Sequence, residues 1–180
     1  MTDVDFNSSS FDDEFDIEID SDQANIPDGT YVATTEAIEA RLSPKQDDPS
    51  VVSKGINCTF KLVTDPNDEE VGHLNGSYQN KYIWLGDSTG RQGGVQNVRM
   101  WNKLVEACTG VSPEGKTKLS EYGLVKRKDR NGNEVGGLTD LENRTVHIQL
   151  AKNRKNENIE VVSISPYSAR DEDEEDPFDS

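Results

Sequence analysis

Residues 56–62 alternate strictly: Ile56, Cys58, Phe60 and Leu62 are apolar, whereas Asn57, Thr59 and Lys61 are polar. A period of two sets the apolar residues on one face of a strand, with a core beneath it. Further along, the period changes. Val95, Val98, Trp101, Leu104, Val105 and Cys108 recur at helical spacing, and Gly110 supplies a stop. The fold must therefore bury one face of a sheet and one stripe of a single helix of about fourteen residues.

The flanking segments extend this pattern. Ile26-Pro27-Asp28-Gly29 is a turn signal ahead of a first strand at 30–38, rich in β-branched residues. Residues 43–50 form a loop, and 77–86 make a third strand after the one at 56–62. Residues 110–138 are turn-rich and basic and lack a strong period. Val146, Ile148 and Leu150 then face inward from a strand at 145–150, and 159–164 is the last strand, ended by Pro166. Three strands, a helix and a two-strand hairpin define a mainly β chain. That is the element order of the OB-fold, a five-stranded partly open barrel with its helix between the third and fourth strands.

The formal net charge of −16 would repel nucleic acid if it were spread over the surface. It is not spread. Residues 1–22 carry nine acids and no base, and residues 171–180 carry seven acids and no base. The stretch 23–170 holds 19 acids against 19 bases, and within 116–155 ten bases face five acids. Runs of like charge resist compaction, so an acidic N-terminal tail (1–25) and an acidic C-terminal tail (169–180) are both expected to be disordered. They flank one folded domain at 26–168. No stretch approaches the ~20 apolar residues of a membrane span, and the N-terminus lacks the basic start of a signal peptide. Cys58 and Cys108 have no CxxC partner, which indicates neither a disulfide framework nor a zinc site. A cytoplasmic protein is the simplest expectation.

One motif formally matches a phosphate-binding loop: Gly110-Val111-Ser112-Pro113-Glu114-Gly115-Lys116-Thr117 fits GxxxxGK[ST]. Such a loop leaves a buried strand and opens a helix whose amides face phosphate. Here it follows a helix, Pro113 removes an amide, and Glu114 sets negative charge where phosphates would sit. A helix-terminating loop is the better reading, and Gly93-Gly94 near Arg91 is equally weak. His73 and His147 have no ligand-like spacing, and no nucleophile–base arrangement can be assembled. Neither an enzyme nor a cofactor is expected.

Binding residues are easier to argue. Tyr78, Tyr82 and Trp84 share one parity of the third strand, opposite Ile83 and Leu85. If the latter pair faces inward, three rings line the outer face, where bases of a single strand stack without sequence readout. Phosphate contacts are expected from Lys81, Arg91, Lys126, Arg127, Lys128, Arg130, Lys152, Arg154 and Lys155. At the C-terminal tip, Asp176, Pro177 and Phe178 offer a partner protein an apolar anchor on an acidic string.

Taken together, the chain resembles bacteriophage single-stranded DNA-binding proteins with an OB-fold core and an acidic C-terminal tail. The resembling segments are Ile26-Pro27-Asp28-Gly29-Thr30-Tyr31, the strand from Ile56 to Leu62, the helix from Val95 to Gly110, and Leu141-Glu142-Asn143-Arg144-Thr145-Val146. The stretch Asp171–Phe178 is similar to the Pro-Phe-tipped tails of bacterial single-strand binding proteins, except that Asp179 and Ser180 follow the phenylalanine here. The resemblance implies coating of single-stranded DNA in phage replication or recombination, in the host cytoplasm. It also implies that the tail recruits replication or recombination proteins, and a tethered acidic string can compete with DNA for a basic groove. The alternative is an acidic DNA mimic that inhibits a host DNA-processing enzyme.

Overall fold

The computed structural model describes residues 25–168 together with Asp16 and Glu18. The tails expected at 1–25 and 169–180, including Asp176, Pro177 and Phe178, lie outside the described residues save for Asp16, Glu18 and Asn25. Among the described residues the chain is mainly β, with seven strands and one α-helix. The strands are β1 (Gly29–Pro44), β2 (Val52–Val63), β3 (Tyr78–Asp87), β4 (Leu124–Lys128), β5 (Glu134–Leu138), β6 (Thr145–Lys152) and β7 (Ile159–Pro166). The helix α1 (Val95–Thr109) falls between β3 and β4.

All pairings are antiparallel. β2 lies between β3 and β1, and β1 uses its other edge twice. Its first half, from Gly29 to Thr34, pairs with β6, which pairs in turn with β7. Its second half meets β5 at Glu39 and Ala40, and β4 lies outside β5. The five strands expected from the sequence are thus seven, because β4 and β5 form a hairpin within the stretch that shows no period. The sheet is open: β3 and β7 approach one another but share no hydrogen-bonded ladder.

Where β6 leaves β1 and β5 has not yet begun, side chains replace the ladder. The Thr35 hydroxyl donates to the Leu141 carbonyl at 2.6 Å and accepts from the Arg144 amide at 3.0 Å. The buried Ile38 amide donates to a Glu142 carboxylate oxygen at 2.9 Å. A buried N–H left unpaired costs as much as a lost hydrogen bond, so Glu142 serves as the missing strand. The β-bulge at Thr35/Ala37 turns β1 at this point and leaves Glu36 unpaired with β2.

The alternation expected in β2 holds, with Ile56, Cys58, Phe60 and Leu62 buried. They pack with Ile83 of β3, Ile148 and Leu150 of β6, and Val161 and Ile164 of β7. α1 covers this core mainly from the β7 side through Trp101, Leu104, Val105 and Cys108, with Trp101 edge-on to Tyr122 at 5.6 Å. Val95 and Val98, expected on the same stripe, are exposed. The first turn of the helix contributes no residue to the buried stripe, which begins at Trp101.

Candidate functional site

β3 presents its aromatic parity outward. Ile83 is fully buried, whereas Tyr78 and Tyr82 are 44% and 43% exposed and Trp84 is half-buried. The outer end of the Tyr82 ring lies over Gly55 in β2, so close that a Cβ there would sit 2.3 Å from it. The ring occupies the space that a side chain at this position would take. Gly55→Ala should therefore push the exposed Tyr82 ring outward at a cost in stability below about 1 kcal/mol, well short of the ~1–3 kcal/mol of overpacking in a closed core. Near-ultraviolet circular dichroism reads the displaced ring, and an aromatic spectrum identical to that of the parent chain would contradict the contact.

Cations accompany each end of the row. The Arg130 guanidinium lies 5.8 Å from the Tyr78 ring centre. The Lys45 ammonium and the Arg91 guanidinium lie 5.7 and 5.9 Å from the Trp84 ring. The Trp84 indole N–H donates to the Ser53 hydroxyl at 3.0 Å, which fixes the ring. Lys45 is itself held by Asp87 at 2.7 Å, and that bond keeps the Asp87 carboxyl well below the usual carboxylate range. Cations over aromatic faces add attraction and mark where phosphates can lie beside stacked bases.

Beside the row runs a groove of about 390 Å³, floored by β1 and β2 and bounded by Tyr78 on one side and the β4–β5 turn on the other. The turn is built by Asp129. Its carboxylate accepts the amides of Asn131 and Asn133 at 2.9 Å each, and Gly132 adopts a left-handed φ of 84°. The Asn133 amide bond chiefly lowers the Asp129 pKa, with Arg41 adding to it from 3.0 Å. Arg41 is also 3.4 Å from Glu39, which is 3.4 Å from Arg127. Arg127 in turn forms a two-pronged pair with Glu142, a bond that raises the guanidinium pKa. Two arginines and three carboxylates thus tie the hairpin to β1 beneath the groove.

The expected phosphate contacts divide accordingly. Lys128 and Arg130 line the groove, and Arg91 lies against Trp84. Arg127 also borders the groove, but its charge is matched by Glu142 and Glu39. Lys126 is exposed on the hairpin next to Leu124 and Val125, away from the groove. Lys81 has the parity of buried Ile83 and pairs with Cys58, so it lies on the face opposite the aromatics. Lys152 ends β6, its amide donating to Asp28 just before β1 begins, and Arg154 and Lys155 occupy the β6–β7 turn. They are at the far end of β1 from Arg41 and are not brought to the groove. Sequence reasoning missed Lys45, Arg41, Gly55 and Glu142. An alternation reading carried through residue 44 would have found Arg41.

The remaining motifs have structural roles. Gly110 caps α1 in the left-handed conformation, and the segment Val111–Lys118 that follows is irregular, so the GxxxxGK[ST] match leaves a helix and is followed only by the four-residue 3₁₀ turn Leu119–Tyr122. Gly93 packs on the β3 backbone, where a Cβ would lie 2.4 Å from the Trp84 carbonyl oxygen, and Gly94 is the N-cap of α1. His147 alternates with buried Val146 and Ile148 and stacks obliquely on Tyr167. Burial pushes the Cys108 thiol up to about 12 and raises Cys58 further, so both thiols are neutral packing groups. Among the described residues, no group of three or more His, Cys, Asp or Glu could hold a metal ion, and no helix is long and apolar enough to cross a membrane.

The site is therefore an open aromatic row with cations at both ends, beside a polar groove roofed by a hairpin turn. Comparison with protein-family models and with curated protein sequences gives no match for this chain.

Proposed function

We propose that this protein binds single-stranded DNA without strict sequence preference, through the outer face of β3 and the adjoining groove. The observation that carries the reading is the row Tyr78, Tyr82 and Trp84 on one exposed strand face, with Arg130, Lys45 and Arg91 against its rings. Exposed rings interleaved with cations suit unpaired bases, which offer flat faces and a flanking phosphate chain. In this reading the fold is an OB-type arrangement. β1, β2, β3, β6 and β7 supply the five core strands, the helix follows the third, and β4–β5 is an inserted hairpin. The acidic C-terminal tail recruits replication or recombination proteins and competes with DNA, consistent with a phage replication or recombination role.

The test is fluorescence anisotropy of a labelled oligothymidylate, in single-stranded and duplex form, at two salt concentrations. Saturable binding to the single strand, weaker for the duplex and weakened by salt, is the expected result. Absence of single-strand binding at low salt would overturn the reading and favour the acidic DNA mimic.

A further inference from the structure

Resting on that reading, we infer that the groove beside Tyr78 seats one base of the bound strand and favours guanine there. Glu36 lies at the β1 bulge, is exposed and lines the groove. No hydrogen bond or ion pair to its carboxylate occurs among the described residues, in contrast to Glu39, Asp129 and Glu142 around it. Asn57 and Asn80 stand across the floor, and the Asn80 carbonyl already accepts from the Thr59 hydroxyl at 2.9 Å.

The groove's volume of about 390 Å³ falls within the ~300–1,000 Å³ of small-molecule sites, room for one nucleotide rather than a run of them. Tyr78 gives the wall on which the base stacks, while Lys128 and Arg130 on the roof meet its phosphate. A free carboxylate accepts two adjacent donors at once. Of the four DNA bases, only guanine carries two adjacent donors, N1–H and N2–H, on its pairing edge. Thymine sets an acceptor on each side of its single N–H and would turn an oxygen toward Glu36. Single-strand readers take discrimination from such edges once the base is unstacked.

The experiment compares three oligothymidylates of equal length: one unsubstituted, one with a single central dG, and one with inosine in its place, which lacks the N2 amino group. Each is titrated against the full chain and against Glu36→Ala. A two-pronged contact discriminates by ~1–3 kcal/mol, so the dG oligomer should bind about fivefold tighter or more than the unsubstituted one. Inosine should lose most of that gain, and Glu36→Ala should bring all three together. Removing a negative charge will tighten every oligomer, and the ratio between oligomers cancels that effect. Equal binding of all three by the full chain, or a preference that survives in Glu36→Ala, would overturn this inference while leaving single-strand binding intact. If no oligomer binds at low salt, the underlying reading fails instead.

Discussion

Replacing Tyr78 and Tyr82 together by Ala should weaken binding of oligothymidylate at least ~30-fold, while the thermal unfolding curve moves little. Stacking on an aromatic side chain is worth ~1–3 kcal/mol per base, so two rings lost together remove about 2 kcal/mol at the low end. Both rings are more than two-fifths exposed, and neither belongs to the fully buried core set of Phe60, Ile56, Ile83 and their neighbours. Titration of the labelled oligomer and a melt followed by circular dichroism separate the two effects. Retained affinity in a folded variant would remove β3 from the binding face.

The second large effect concerns stability. Glu142→Ala removes the acceptor of the buried Ile38 amide and strips Arg127 of its closest partner. Arg127 is about a third exposed and keeps Glu39, so the main loss is the buried Ile38 amide left without an acceptor, which costs ~1–3 kcal/mol. Glu142→Gln keeps an acceptor for Ile38 and should lose less. Urea denaturation at constant slope measures both. A loss below ~1 kcal/mol in Glu142→Ala would show that the carboxylate is not what joins the two halves of β1. The same variant should loosen the hairpin, since Arg127 anchors β4 through this pair, and single-strand binding should weaken along with stability.

The parts of the fold legible in the sequence are those where one face is buried and the other wet. β2 announces itself by Ile56, Cys58, Phe60 and Leu62, and α1 by Trp101, Leu104, Val105 and Cys108, because burial imposes the period. The β4–β5 hairpin has no such imprint. Of β4, only Arg127 is even partly shielded, so Lys126 and Lys128 look like loop residues. In β5, Gly136 and Gly137 lack side chains because Leu124 and Arg127 lie over them, a Cβ at either position falling 2.6 Å from its neighbour. The usable signal was Asn131-Gly132, a hairpin-turn dipeptide between two short strands.

The site divides on the same principle. The parity of Tyr78, Tyr82 and Trp84 follows from strand geometry alone, so their common face could be derived. Which basic runs lie near them depends on how β1 bends and which half pairs with β5, and no local pattern encodes that. Hence the turn at Lys152–Lys155 matched Lys126–Arg130 as a sequence cluster, yet the two lie at different ends of β1. The charge of the chain shows the same contrast. The −16 is carried by its ends, while the groove itself mixes Lys128 and Arg130 with Glu36, Glu39 and Asp129.

The aromatic row is tested most directly through Trp84. The chain has two tryptophans, and Trp101 is buried on the inner face of α1. In Trp101→Phe, which keeps a smaller aromatic in the core, Trp84 is the sole tryptophan emitter. Adding oligothymidylate at low salt should quench its emission saturably, and raising the salt should reverse the quenching. Binding seen by anisotropy with no change in Trp84 emission would place the strand on another surface and contradict the account.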